Sequence, residues 1–177
     1  MTYQFQHGHK TRSLSGSSAS EFGPALFILF VIVLLPMLSL ITFIAGVATV
    51  YFATNYAARE AGTSTTRFLA RQNMYAARDQ IINGPFGKFC NMVADGGDDD
   101  KGMELRTVRV GILAGSEDKP FAGTFPQNQV NSSNHFFQYK VVSTYKVKPL
   151  FYPGEIPVQF NSTIAVEHRE GINTTTP

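Results

Sequence analysis

Glu21 is the residue around which chemistry can be argued, because it stands at the lip of a long apolar run and four positions after Ser17. Two roles fit its surroundings. Ser18 and Glu21 have the Ser-x-x-Glu spacing of a capping box, in which a carboxylate at the start of a helix also suits the helix dipole. Alternatively, a cut after Gly16 would create an amine on Ser17. That ammonium and the Glu21 carboxylate would then be natural partners, within one chain or between neighbours, at a depth where an ionised side chain must find a partner or stay at the interface. Both roles stay open on these residues alone.

The remaining reactive side chains do not assemble into a catalytic pattern. Cys90 is the only cysteine, which excludes an internal disulfide and every multi-cysteine zinc motif; it reads as a partly buried thiol. His135 and His168 lie in strand-like or loop contexts, and a pairing of Cys90 with His135 has nothing to constrain it. His7 and His9 lack further ligands and read as part of a solvated tail. The acidic stretch DGGDDDKG at 95–102 invites comparison with a calcium loop, which needs glycine at its sixth position and glutamate at its twelfth. Counting from Asp95 puts Asp100 and Arg106 there, and counting from Asp98 puts Met103 and Arg109 there. A solvated acidic turn is expected. There is no phosphate loop or dinucleotide fingerprint. The expectation is a protein that is not an enzyme and takes no cofactor, metal or small-molecule substrate.

The element that positions Glu21 is the run behind it. No charged residue occurs over positions 22–58, whereas about 20 apolar residues suffice to cross a bilayer. At ~1.5 Å per residue the run is far longer than the ~30 Å hydrocarbon core. A secretory signal is the competing reading, but its apolar region covers only about 7–15 residues. Pro36 is expected to bend the helix near its middle. Ala45, Gly46, Ala48, Thr49 and Ala53 make a small-residue surface on which another helix could pack.

Past the run, positions 55–82 keep helical spacing, with Ala61, Phe68, Tyr75 and Ile82 on one stripe and Glu60, Arg67, Arg71 and Arg78 on a neighbouring polar face. That polar line reads as solvated, or as a subunit contact. Asn83, Gly84 and Pro85 are strong stop signals. Positions 86–104 look loop-like. Three alternating patterns follow: Val108, Val110 and Ile112; Phe137, Tyr139, Val141, Tyr145 and Val147; and Val158, Phe160, Ile164 and Val166. Each has one apolar face, as an antiparallel sheet covered on one side requires. The helical stripe is the cover, and the proline-rich 149–157 segment reads as a packed hairpin connection or a recognition loop.

The fold class expected is therefore α+β: a long N-terminal membrane helix continuing into an amphipathic stem, packed on a small three- to four-stranded antiparallel sheet. The expected parts are a leader at 1–16, a transmembrane helix at 17–54, a stem at 55–83, a sheet head at 84–170 and a disordered tail at 171–177. Six Lys/Arg against three Asp/Glu precede position 84, and nine against ten follow, so the head is nearly neutral and a nucleic-acid partner is unsupported. Lys10 and Arg12 before the run, against Arg59, Arg67 and Arg71 after it, leave the helix orientation undecided by charge.

Gly16, Ser17, Ser18, Ala19, Ser20, Glu21 and Phe22 together resemble the G-x-x-x-x-E-F processing site of type IVb-like prepilins. The 55–62 segment, NYAAREAG, is similar to the alanine-arginine stem of TadE-like and TadG-like pseudopilins of tight adherence (Flp) pilus systems. The stretch from Tyr145 through the proline-rich loop to Arg169 is similar to the end of those proteins. Ser13, Leu14 and Ser15, rather than basic residues, precede the glycine, and the head lacks the cysteine pair some relatives carry. The resemblance implies a minor pseudopilin, cut after Gly16 by a prepilin peptidase on the cytoplasmic side. It implies that Glu21 meets the Ser17 amine of a neighbouring subunit. It also implies an inner-membrane location with the head outside, and partnership with other pilin subunits and the membrane assembly platform. Two other classes compete. One is a single-pass anchored adhesion domain, for which Asn131, Asn161 and Asn173 supply glycosylation triplets; the other is a type II secretion pseudopilin.

Overall fold

The computed structural model describes residues 17–113, 115–119, 124–130 and 133–173, with the backbone alone for 17–21. The chain divides into two units, Met1–Met37 and Leu38–Pro177.

In the first unit helix α1 (Ser17–Leu29) leads into a π-helical turn at Phe30–Leu34, and α2 (Leu35–Gly62) begins immediately after it. Pro24 lies inside α1, and Pro36 is the second residue of α2. Proline lacks the N–H that would bond four residues back, and its ring crowds that carbonyl. The wider π turn directly before Pro36 accommodates both demands, so the backbone disturbance anticipated at Pro36 is a widened turn. All side chains from Phe22 to Leu34 are exposed.

The second unit is built on a five-stranded antiparallel sheet. After α2 come α3 (Arg67–Ile82), a short α4 (Pro85–Phe89), β1 (Met92–Ala94), β2 (Met103–Gly111), β3 (Ser116–Lys119), α5 (Gln127–Val130), β4 (His135–Val147) and β5 (Ile156–Ala165). The long β4 organises the rest. β5 pairs along one edge, from Gln138↔Ala165 to Val147↔Ile156. Along the other edge β2 and β1 follow each other, with Met103 opposite Ser143 and Ala94 opposite Tyr145. The 95–102 loop is thus an excursion in an otherwise continuous edge, closed by Asp95 N–H to Thr144 O (3.0 Å) and Thr144 N–H to Gly102 O (2.8 Å).

One apolar face of the sheet carries Tyr139, Val141, Tyr145 and Val147, alternating as their spacing predicts. Val50, Ala53, Ala57, Ala58 and Ala61 of α2, with Ala70, Met74 and Ala77 of α3, cover it. Small side chains on α2 let the helix lie close to the strands. A Cβ on Gly46 would come 2.6 Å from Val147 Cγ1, and one on Gly62 would come 2.8 Å from Ile164 Cγ2. Each fully buried aliphatic side chain contributes about 1.5–3 kcal/mol. A second cluster of Phe125, Val130, Phe137 and Ile172 packs separately.

The structure corrects the sequence reading at several points. The stem does not run unbroken over 55–83. α2 stops at Gly62, whose carbonyl accepts from Glu167 N–H (3.3 Å), and Thr66 caps α3 by accepting from Leu69 N–H (3.2 Å). Threonine in extended backbone satisfies an orphan helix donor better than it continues a helix. The break resets the helical phase. The buried residues of α3 are Arg67, Ala70, Met74 and Ala77, flanked by half-buried Phe68, Tyr75 and Ile82.

The anticipated boundary at 54 marks no change in packing, since buried positions on α2 run from Thr42 to Gly62. Gly46 and Ala53 face their own sheet and Thr49 meets Cys90, so this part of the small-residue surface is occupied within the chain, while Ala45 and Ala48 are half-buried. In β2 the strand starts earlier than expected, and Met103, Leu105 and Thr107 supply the covered face, whereas Val110 is half-buried and Ile112 exposed. Residues 86–104 hold α4, β1 and the start of β2. The expected tail begins with packed residues: Ile172 is buried, and Asn173 bonds the Phe125 backbone through both ends of its amide. The expected leader, 1–16, lies outside the described residues.

Candidate functional site

The segment singled out by its chemistry is helical over its described residues from Ser17 on, so Ser18 lies inside the helix and is not its cap. This removes the expected Ser18–Glu21 capping box. Ser17 and Glu21 stand one helical turn apart along the backbone. Gly16 lies outside the described residues, and Phe22 is exposed. Leu26, Leu29, Phe30, Val33, Leu34 and Met37 line a wholly apolar groove of about 230 Å³ beside the π turn. Pro24, which the sequence reading passed over, adds a second missing donor in this segment.

Among the described residues one helix, Phe22–Gly62, is long and apolar enough to cross a membrane. It is longer than a bilayer needs, and its residues fall into two stretches. Beyond Thr42 one face is buried in the head, while Leu40, Ile41, Ile44, Tyr51 and Phe52 remain exposed. Counting from Phe22, the ~20 residues that cross a bilayer are used up near Ile41. The run that is apolar on all sides and the run that packs under the sheet are therefore consecutive, and together they account for the absence of charge up to Arg59.

Several polar groups under the sheet are paired, whereas the buried Thr107 Oγ1 and Tyr139 hydroxyl have no hydrogen-bond partner among the described residues. Thr54 and Ser143 share a buried hydroxyl hydrogen bond of 2.5 Å, and Thr54 also donates to Val50 O (2.6 Å). Ser162 Oγ donates to Asn55 Oδ1 (2.9 Å), tying β5 to α2.

The arginine line of α3 is only partly solvated, because it grips the acidic loop. Arg71 pairs with Asp99 (2.7 Å) and approaches Asp98 (3.6 Å), while Arg78 donates to Lys101 O (2.8 Å) and pairs with Asp79. Tyr75 lies among three cations, with Arg71, Arg78 and Lys101 at 5.5, 5.7 and 4.6 Å from its ring centre, and its hydroxyl donates to Asp98 O (3.0 Å). Arg67 is fully buried. Burial lowers its pKa, and the nearby Tyr139 phenol opposes that. Burial likewise raises the Asp98 carboxyl, against the Leu105 N–H and Arg71. The loop backbone needs left-handed φ at Gly96, Gly97 and Gly102, and adopts it at Asp99 and Asp100 as well. The 95–102 segment is thus an exposed acidic turn, as expected, that is also pinned: Asp99, Asp100 and Lys101 lie on the surface while Asp98 is half-buried. The charge pattern that could have signalled this is Arg71 and Arg78 spaced seven apart, two helical turns, opposite an aspartate run.

Cys90 is buried beside Thr49 (Sγ to Oγ1, 3.9 Å), and burial raises its pKa. It adjoins the strand end where Met92 pairs with Val147, while His135 begins β4 at the far end, about 40 Å away at ~3.3 Å per residue. These two side chains cannot act together. Among the described residues no group of three or more His, Cys, Asp or Glu side chains could hold a metal ion. Of the glycosylation triplets, Asn131 lies outside the described residues, Asn161 is exposed on β5, and the Asn173 amide is engaged with Phe125.

No protein-family model matches this chain, and neither a curated protein nor a solved structure does.

Proposed function

We propose that this chain is a minor pseudopilin of a tight adherence, type IV-like pilus, processed after Gly16 by a prepilin peptidase. Its helix anchors it in the bacterial inner membrane with the head extracytoplasmic, and it takes part in assembling a surface pilus. The observation that carries the reading is the Gly16-x-x-x-x-Glu21-Phe22 spacing in the sequence, leading directly into a helical stretch that is exposed and apolar from Phe22 to Leu34.

The arrangement supports this physically. A cut after Gly16 would put the new ammonium on the first residue of α1, one turn before Glu21. An unpaired carboxylate entering a packed apolar bundle costs several kcal/mol, so a subunit whose Glu21 meets a neighbour's Ser17 amine is admitted in one register only. Exposed Phe22, Leu26, Leu29, Phe30 and Val33 supply surface for other helices once lipid is left behind. The head carries its own core, so it can be displayed without help from a partner.

The test is co-expression of the full chain with a prepilin peptidase, followed by sequencing of the mature N-terminus. A chain beginning at Ser17, and loss of that product on Gly16→Ala, supports the proposal. An intact leader, or a cut between Ala45 and Ala53, overturns it.

A further inference from the structure

We infer that the proline-rich 149–157 loop is a membrane-interface contact, seating Leu150, Phe151 and Tyr152 at the headgroup boundary of the bilayer that holds the helix. The inference rests on the membrane-spanning reading proposed above and adds to it a second point of contact, made by the head.

Three observations carry it. The loop is fastened to the helix at a defined height: Leu150 N–H donates to Thr42 Oγ1 (3.3 Å) and Phe151 N–H donates to Ser39 Oγ (3.2 Å). Ser39 and Thr42 bracket the position, near Ile41, where a span beginning at Phe22 has used its ~20 residues. The loop is therefore tied to the part of the helix that would emerge from hydrocarbon.

The second observation is the side chains. Leu150, Phe151 and Tyr152 are consecutive and are 58%, 51% and 52% exposed, next to exposed Lys148. On α2 at the same height Leu40, Ile41 and Ile44 are exposed too. Aromatic rings of this kind, with a tyrosine hydroxyl and a lysine beside them, are enriched where acyl chains meet headgroups.

The third is the backbone, which solves the problem that lipid sets. Near hydrocarbon each amide N–H needs an internal acceptor. Pro149 and Pro153 have no N–H, Leu150 and Phe151 donate to helix hydroxyls, and Tyr152 N–H donates to Pro149 O (3.4 Å). From 149 to 153 every backbone donor is absent or internally paired while three large apolar side chains face outward. A solvated loop has no need of that combination. Phe86 and Phe89 of α4 are exposed as well, but Cys90 ties that helix to Thr49, about two turns farther along α2.

The chain has no tryptophan, so single Phe151→Trp, Phe89→Trp and Ile28→Trp variants each carry a unique fluorophore. The full chain is reconstituted in phosphatidylethanolamine/phosphatidylglycerol vesicles bearing bromines either near the headgroups or near the acyl ends. The expected result is that Phe151→Trp is blue-shifted and loses about half its emission to shallow bromines, Ile28→Trp is quenched by deep ones, and Phe89→Trp is quenched by neither. If Ile28→Trp is quenched but Phe151→Trp emits as in water, the loop contact is overturned and the anchor stands. If Ile28→Trp is unquenched, the spanning reading fails and the loop contact fails with it. Equal shallow quenching at Phe151→Trp and Phe89→Trp means that the head adheres without orientation, which also overturns the loop-specific contact.

Discussion

Gly46 of α2 and Val147 of β4 meet so closely that a single added methyl on the glycine would lie 2.6 Å from Val147 Cγ1. The contact fixes how near the helix lies to the sheet, and Val147 also pairs with Met92 and Ile156, so three strands depend on its position.

Gly46→Ala is therefore expected to destabilise the head. Overpacking costs about 1–3 kcal/mol, which outweighs the ~1 kcal/mol that alanine gains in helix propensity. Val147→Ala alone leaves a cavity beside the glycine. The double variant should be more stable than the sum of the two single effects, with a favourable coupling of about 1 kcal/mol. Denaturation of the four chains in one detergent reads the cycle, and strict additivity would mean that the two residues do not define the spacing.

The Thr54–Ser143 hydroxyl pair is expected to behave in the opposite way to a surface contact. Thr54→Val keeps the shape of the side chain but strands Ser143 Oγ in a buried site, where its remaining link to Phe160 O is long at 3.4 Å. A loss of about 1–3 kcal/mol is expected, whereas Thr54→Val with Ser143→Ala should recover most of it, because neither polar group is then left alone. Equal midpoints for the single and double variants would count against a buried pair.

What the sequence disclosed and what it hid follow from this packing. The alternation of Tyr139, Val141, Tyr145 and Val147 was legible because β4 is central, covered on one face and regular over its length. β1 and β3 were not, since three- and four-residue strands leave too few alternations to detect and are held by β4 and β2 rather than by their own pattern. The face of β2 was misread for a related reason. Val108 is buried as expected, but Val110 is only half-buried, and Met103 and Leu105, hidden behind an aspartate-rich loop, set which side is covered along most of the strand. Arg67 looked solvated by type and is fully buried, because the break at residues 63–66 rotates α3 relative to the phase read from α2. At the candidate site the type and spacing of Gly16 and Glu21 were legible, but that Ser18 lies inside the helix and not at its cap was not.

Burial pushes the Tyr139 and Tyr145 phenols up to about 12 from an ordinary 10.0. Between those values the unfolded chain has lost the protons that the native chain keeps, so native stability falls as pH rises through this window and is unaffected by these groups below it. Ultraviolet titration should show phenolate absorbance from two tyrosines delayed to near pH 12 or appearing with unfolding. Tyr139→Phe should flatten the alkaline loss of stability, at little cost in the neutral range. Titration of all seven tyrosines near pH 10 would contradict the buried placement.

Glu21 gives the prediction on which the functional reading turns. With Ser18 inside α1, the carboxylate is not the third residue after a Ser18 cap, and what remains of a purely local role is its interaction with the helix dipole, about 0.3–1 kcal/mol. A loss of that size in a helix held by lipid and by the head would change neither processing nor assembly measurably. If instead Glu21 receives the Ser17 amine of a neighbour, removing its charge leaves that ammonium unpartnered among apolar helices. Glu21→Ala and Glu21→Gln are then expected to be cleaved after Gly16 as the parent is and to remain in the membrane, while their share in sheared surface filaments drops at least about ten-fold, the equivalent of ~1.4 kcal/mol per subunit added. Glu21→Asp, which keeps the charge on a shorter arm, should recover part of the loss. Immunoblots of membrane and sheared fractions separate the two cases, and wild-type filament levels in Glu21→Ala would reduce Glu21 to its dipole interaction and remove the electrostatic register from the mechanism.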